Sequence, residues 1–321
     1  MKKIFIMLII FIITSLSFSC TSKDLFIEEK IVVKTNEYEL KGILTIPNNN
    51  TNNFPAVVFI GGSGPTDMHS SVGKLRPFEN MAQELAKKGI ASIRYNKRTY
   101  EYQHELATNY YFNPDDEYVH DALSAINLLY DDDRIDHENI YLIGHSQGGQ
   151  FAPVIANQTD KIKGIIIMAG VTAHILDILM EQLLNNKMLD LYVEYLPFYQ
   201  TAKKITEEDE SKYNWFYFGG YYNYWLEYNK IDFEKELINS AKNHSLLIMQ
   251  GGKDLQVYEH HYERYEELLK DSSNYLVKYV FYPNLNHFFI DGRNETINNA
   301  YMKKGKVDQD VIDLISSAIK S

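Results

Sequence analysis

The segment 139–149, Asn-Ile-Tyr-Leu-Ile-Gly-His-Ser-Gln-Gly-Gly, narrows the possible folds of this chain more than any other stretch. Its apolar first half reads as a buried strand, and Gly144-His145-Ser146-Gln147-Gly148 reads as a sharp turn into a helix. Such a turn lifts one side chain above the carboxyl end of a sheet, and its glycines let backbone and substrate approach closely. Ser146 is therefore the candidate nucleophile. The pentapeptide alone is weak, so the flanking sequence has to carry the assignment.

That sequence supplies a parallel-sheet pattern. Alternating segments 25–33 and 38–46, joined through Thr-Asn-Glu, predict an antiparallel hairpin. Short apolar runs follow at 56–60, 90–95, 139–143, 164–168, 245–249 and 276–282, separated by helix-length stretches. Strands alternating with helices indicate a parallel sheet built from right-handed crossovers, here six strands added to the leading two. Helices are expected over 78–88, stopped by Gly89, and over 115–130, with Val119, Leu123, Ile126 and Leu129 on one face. A last helix carries Val307, Val311, Leu314, Ile315, Ala318 and Ile319 at helical spacing and should pack on the sheet.

Between runs 164–168 and 245–249 lie roughly seventy-five residues, far more than a crossover needs. The expected organisation is a core over 25–170, an inserted cap over 171–243, and the rest of the core over 244–321. A chain of 321 residues with 45% hydrophobic content suits one large domain of this kind. Within the insertion, ten of the sixteen residues 213–228 are aromatic, with Gly219-Gly220 as a possible hinge. These rings either form the cap's own core, as the helical spacing of Trp215, Phe218 and Tyr222 favours, or wall a pocket over Ser146. Tyr221 and Trp225 are the candidate pocket residues.

The first twenty residues run Met1-Lys2-Lys3, then an apolar stretch 4–13, then Thr-Ser-Leu-Ser-Phe-Ser19-Cys20. A charged start, an apolar centre and small residues at the end make a signal peptide over 1–19. The only cysteine follows it and resembles the lipidated first residue of a bacterial lipoprotein. Export to the cell envelope with a lipid anchor at Cys20 is expected, since the apolar stretch is shorter than the ~20 residues a membrane span needs. One cysteine excludes an intramolecular disulfide. The net charge of −11 becomes about −13 without Lys2 and Lys3, which disfavours nucleic acid and anionic surfaces as partners.

A serine hydroxyl needs a base, and the base needs an orienting carboxylate. A strand running into Gly-x-Ser-x-Gly within such a sheet resembles the nucleophile elbow of the α/β-hydrolase fold, in which the chain order is Ser, then Asp or Glu, then His. After Ser146, run 245–249 leads to Gln-Gly-Gly-Lys-Asp254, and run 276–282 leads to Pro-Asn-Leu-Asn-His287. Both loops lie at carboxyl strand ends, where open α/β sheets place their ligands. Asp254 is the candidate acid, with Asp291 second, and His287 the candidate base. Of ten histidines, His69, His104, His120 and His137 precede the turn, while His174 and His244 flank strands without a partner position. His145 is expected to point away along the turn, and His260 and His261 to be solvated.

The developing oxyanion needs preorganised donors, each worth roughly 3 kcal/mol. The N–H of Gln147 is one candidate; the loop Gly61-Gly62-Ser63-Gly64-Pro65 offers the other, Ser63 first and Gly62 second. Arg94, Lys97 and Arg98 either grip a substrate carboxylate or, as is favoured, make a strand-end salt bridge to Asp67 or Glu79. Asp115, Asp116 and Glu117 read as helix N-terminal charges. No spacing suggests a metal site.

Gly61-Gly-Ser-Gly-Pro65-Thr-Asp67, Arg94-Tyr-Asn-Lys97-Arg98-Thr, Gly144-His-Ser146-Gln-Gly-Gly149, Gly251-Gly-Lys-Asp254 and Asn286-His287 together resemble bacterial α/β-hydrolase carboxylesterases related to the prolyl-oligopeptidase and dienelactone-hydrolase branches. The resemblance spans most of 25–170 and 244–320 and implies a cofactor-free serine esterase with Ser146, Asp254 and His287 as its triad. Asn96 stands where such enzymes often carry Asp, and Met68-His69 replaces a charged pair.

The expected protein is an α/β-hydrolase with a mostly parallel eight-stranded sheet, helices on both faces and an inserted helical cap. It is expected to cleave small carboxylic esters of short to medium acyl chains through an acyl-enzyme. A thioesterase or peptidase on the same triad, or a non-catalytic surface binding protein on the same fold, is the alternative. No cofactor or nucleic-acid partner is expected; oligomeric state is left open.

Overall fold

A computed structural model describes residues 25–35, 37–49, 51–270, 276–296, 299–302 and 304–321. The expected signal peptide and Cys20 lie outside these residues.

The leading hairpin forms as β1 (Phe26–Thr35) and β2 (Tyr38–Pro47), antiparallel and in register from Phe26 opposite Pro47 to Thr35 opposite Tyr38. The apolar runs become β3 (Phe54–Ile60), β4 (Ala91–Tyr95), β5 (Ile135–His145), β6 (Gly164–Met168), β7 (Ser245–Gly251) and β8 (Val277–Tyr282). They join the hairpin in one eight-stranded sheet of order β1-β2-β4-β3-β5-β6-β7-β8, parallel from β4 onward. This is the α/β-hydrolase fold. Strand β5 starts four residues earlier than the apolar run suggests, because Ile135 pairs with Phe54 before a register shift restores Ala56 opposite Ile140.

Side chains alternate across the sheet, so a strand covered on both faces must be apolar throughout. Val57, Phe59, Ile143 and Ile166 pack under helices Pro77–Lys87 and Gln309–Lys320 on one face. Val58, Ile60, Leu142 and Ile165 pack under Asp121–Tyr130, Gln147–Ala156 and Glu259–Leu269 on the other. Each such fully buried Val, Ile or Phe contributes about 1.5–3 kcal/mol. Gly89, at φ +82, ends the first of these helices in the left-handed region.

The helix anticipated over 115–130 has two parts, a π-helical turn Asp115–His120 and an α-helix Asp121–Tyr130. The wider turn buries three consecutive residues, Glu117, Tyr118 and Val119.

Between β6 and β7 come helices Ile175–Asn185 and Leu189–Ala202, a short hairpin pairing Phe216–Tyr217 with Gly220–Tyr221, and helices Tyr222–Lys230 and Phe233–Asn243. The last packs on helix Gln147–Ala156, with the rings of Phe151 and Phe233 5.1 Å apart, and is the crossover helix that a parallel β6–β7 connection requires. The expected helical spacing of Trp215, Phe218 and Tyr222 does not exist: the helix starts only at Tyr222. Gly219-Gly220 falls at the turn of the short hairpin. Phe218 and Gly219, at φ 40 and φ 84, are the two central residues of a tight turn that needs positive φ at both.

Candidate active site

Ser146 sits between the end of β5 and the first helical residue, Gln147, at φ 57 and ψ −124. This backbone is costly for a non-glycine residue and persists only where its surroundings over-determine it. Its N–H is held by the carbonyl of Met168 at 2.9 Å. The glycines explain the rest: a Cβ on Gly148 would stand 2.3 Å from the Ile60 carbonyl oxygen, and one on Gly144 2.4 Å from the Gly148 oxygen. Only Gly-x-Ser-x-Gly fits there.

The loop after β7 carries Asp254 and the loop after β8 carries His287, both buried. His287 Nδ1 lies 2.7 Å from Asp254 Oδ2. Asp254 is itself held: its Oδ1 accepts from the N–H groups of Gln256 and Val257 at 2.7 and 2.9 Å, and Gln250 Nε2 reaches Oδ2 at 3.2 Å. With Nδ1 engaged by the carboxylate, Nε2 is the imidazole atom left for a hydroxyl. The Ser146 hydroxyl makes no hydrogen bond to a described residue, and such contacts commonly tighten only when substrate binds. Asp291, the second choice for the acid, instead faces Arg293 through two contacts of 2.9 and 2.6 Å.

His145 makes no hydrogen bond to the Ser146 hydroxyl and instead faces the loop of the base. Its Nε2 lies 2.8 Å from the His287 carbonyl oxygen and its ring is 4.5 Å from that of His287. It ties the serine turn to the base loop. Burial, with the nearby His287 and against the backbone contact, lowers its pKa to about 3, so it stays neutral and donates from Nε2. Above pH 6.5 neither state protonates it; below, only the unfolded chain takes up the proton, so stability falls as pH drops toward 3. At 1.36 kcal/mol per pH unit the loss at pH 5 is about 2 kcal/mol. In urea unfolding at pH 7 and pH 5, the wild type should lose about 2 kcal/mol more than His145→Gln; equal losses would assign the acid sensitivity to other groups.

Two backbone donors flank Ser146. The N–H groups of Ser63 and Gln147 have no acceptor among the described residues, and a Cβ on Gly62 would stand 3.1 Å from Ser146 Cβ. Beneath them lies a buried cluster that the sequence did not reveal. Lys97 Nζ donates to the Gly62 carbonyl at 2.8 Å, to Tyr118 OH at 3.0 Å and to Glu117 Oε1 at 2.7 Å, using all three of its protons. Tyr118 OH in turn lies 2.9 Å from Gln147 Oε1. In a trans peptide the C=O and the next N–H point in opposite directions. Holding the Gly62 oxygen toward Lys97 therefore turns the Ser63 N–H the other way. Burial pulls the Lys97 pKa down against the pull of Glu117, and burial pushes that of Tyr118 well up, keeping the phenol a donor.

The basic segment thus makes internal pairs, though not the anticipated ones. Arg94 binds Glu28 at 2.7 Å, Lys97 binds Glu117, and Arg98 binds Asp121 at 2.5 Å. Asp67 instead caps its own loop through the N–H groups of His69 and Ser71, and Glu79 faces His69 and Arg76. Asp115, Asp116 and Glu117 stand in the first turn of the π-helical segment as helix N-terminal charges, but Glu117 is buried and also accepts from Tyr224 OH at 2.8 Å. Asn96 bridges Met68 N–H and Glu101. His260 is half-exposed as expected, but His261 is buried, its Nδ1 3.1 Å from Thr172 Oγ1.

A cavity of about 410 Å³ opens beside the two donors, lined by Ser63, Gln147, Leu179, Phe218, Tyr221 and Trp225 among others. Its lining stops short of Ser146 and His287. Trp225 is almost fully buried and donates from Nε1 to the Tyr217 carbonyl at 2.6 Å, so it braces the hairpin as well as walling the cavity. Tyr221 is half-buried, and its hydroxyl donates to the Ala107 carbonyl.

The chain belongs to the prolyl oligopeptidase family, whose model matches residues 77–303, more than half its length. Esterase EstD of Thermotoga maritima is 32% identical over 279 residues, which cover 86% of this chain and 64% of EstD, so the chain spans less than two thirds of that relative. Among solved structures, Est1E from Butyrivibrio proteoclasticus matches 91% of this chain and 96% of its own at a TM-score of 0.55 and 17% identity. A Pyrococcus furiosus esterase matches 94% and 93% at 0.57 and 15%. The acylaminoacyl peptidase of Pyrococcus horikoshii matches 82% of this chain but 38% of its own at 0.54 and 19%. At these identities the structural likenesses speak for the fold.

Proposed function

We propose that this chain is a serine esterase with Ser146 as nucleophile, His287 as base and Asp254 as its orienting acid. The observation that carries the reading is the 2.7 Å contact of Asp254 with His287 at the same sheet edge as the strained Ser146 turn and two N–H donors without an acceptor among the described residues. Ser146 Oγ attacks the ester carbonyl as its proton passes to His287 Nε2. The carbonyl oxygen takes the negative charge and is met by the N–H groups of Gln147 and Ser63. Collapse expels the alcohol, which takes the proton from His287, and leaves an acyl-serine. Water then attacks the acyl carbon by the same route and releases the acid and the serine. The likeness to Esterase EstD supports esters over amides or thioesters. A peptidase on the same triad would hydrolyse p-nitroanilides at rates comparable to matched p-nitrophenyl esters, which is the outcome that would displace this reading.

The cavity of about 410 Å³ is near the lower end of the 300–1,000 Å³ usual for small-molecule sites, which favours short to medium acyl chains. Tyr221, at its wall, should limit length. Over p-nitrophenyl esters from acetate to decanoate, Tyr221→Ala is expected to raise kcat/KM for decanoate relative to acetate about tenfold, the size of effect expected from one altered pocket contact. An unchanged ratio with a lowered Tm would make Tyr221 a brace for the hairpin only.

The N-terminal sequence supports export with a lipid on Cys20. Cells fed a radiolabelled fatty acid should label the wild type and not Cys20→Ala; an unlabelled wild type would indicate another mode of export.

A further inference from the structure

Helix Ile175–Asn185 of the insertion lies against helix Glu259–Leu269 of the core, and three ligand-type side chains meet between them. Glu181 Oε1 is 3.4 Å from His260 Nε2, and Glu181 Oε2 is 3.2 Å from His261 Nε2. The two imidazoles, adjacent in sequence, turn toward one carboxylate with ring centres 4.1 Å apart, and the three ligand atoms lie within 4.8 Å of one another.

The His261 contact is at the long end of a hydrogen bond and the His260 contact lies beyond it, against 2.7 Å between His287 and Asp254. Charge-assisted contacts run about 2.7–2.9 Å. Nitrogen and oxygen ligands at about 2.0–2.1 Å from one zinc stand about 3.3 Å apart, and each imidazole nitrogen is at about that separation from one or the other Glu181 oxygen. His261 is also oriented from behind. Its Nδ1 meets Thr172 Oγ1 at 3.1 Å, which aims Nε2 at Glu181, and a metal-binding imidazole generally keeps such an outer hydrogen bond.

We propose that Glu181, His260 and His261 form a divalent transition-metal site, zinc by its ligand types, that fastens the insertion to the core. Two imidazoles and a carboxylate suit zinc and leave a fourth position for water, reached past the half-exposed His260. Spacing along the sequence hides the site because Glu181 comes from a different helix, about eighty residues before the histidine pair. The neighbouring Gln182 donates from Nε2 to the Gln256 carbonyl at 2.9 Å, and the Gln256 N–H holds Asp254 at 2.7 Å. The fastened helix is therefore two hydrogen bonds from the carboxylate beside His287.

Titration of zinc chloride into the purified full chain, without a polyhistidine tag, tests this by calorimetry, with cobalt absorption reporting the geometry. The wild type should take up one zinc per chain and gain in Tm. His260→Ala, at a half-exposed position that leaves the fold intact, and Glu181→Gln should each weaken binding at least tenfold and lose the Tm gain. No binding by the wild type, or equal stoichiometry and affinity in His260→Ala, overturns the site and leaves two ordinary histidine–carboxylate contacts. Neither result bears on the assignment of Ser146.

Discussion

Ser146→Ala should lower kcat on p-nitrophenyl acetate by about four to six orders of magnitude, the loss seen when a nucleophile that works as part of a triad is removed. The residual rate should come from binding and the two backbone donors, which act whether or not the hydroxyl is present. The turn itself should survive, since its backbone is set by Met168, by the tight seats of Gly144 and Gly148, and by His145 on the His287 loop. Tm is thus expected to stay close to wild type. A fluorophosphonate probe should label the wild type and leave the variant unlabelled. Activity retained in the variant would remove the basis for every chemical role assigned here.

Lys97 should matter through a residue it never exposes to substrate. Lys97→Met alone would strand Glu117 as a buried unpaired charge, at a cost of about 3–5 kcal/mol in stability. The paired variant Lys97→Met/Glu117→Gln removes both charges and isolates the orienting role. With the 2.8 Å bond from Lys97 to the Gly62 carbonyl gone and only the 3.2 Å contact from Tyr118 OH left, the Ser63 N–H is held less firmly, and kcat should fall by up to about 100-fold, as when one oxyanion donor is lost. KM should change little, because the ester carbonyl gains charge only in the transition state. A merely structural role would lower Tm and leave that kcat-to-KM split absent. Wild-type kcat in a folded double variant would show that other contacts orient the loop.

The sheet was legible because its signal is local: each strand is a short apolar run, and burial on both faces demands just that. Asp254 and His287 were legible through chain order and their places at strand ends, and the structure brings them to 2.7 Å. What was not legible depends on pairing at a distance. Arg94, Lys97 and Arg98 read as one cluster, yet each finds a different carboxylate, on β1, on the π-turn and on the following helix. Trp215, Phe218 and Tyr222 fell at helical spacing by coincidence, and two positive-φ residues bend that stretch into a hairpin instead. The role of His145 was not legible because its partner, the His287 carbonyl, lies 142 residues further along the chain.

The π-helical turn Asp115–His120 also sets a rule for length variation in this part of the chain. Its wider winding accommodates one residue more than an α-helical path would, and so lets Glu117 and Tyr118 face Lys97 together. Deleting one residue would relax the turn to α geometry with the flanking chain in nearly the same phase, and the residues within it would be re-spaced to about 100° steps. The carboxylate and the phenol would then no longer point the same way. Insertions beside the exposed Asp131 carry no such penalty, so this family's chains should vary in length more there than in the 115–120 count.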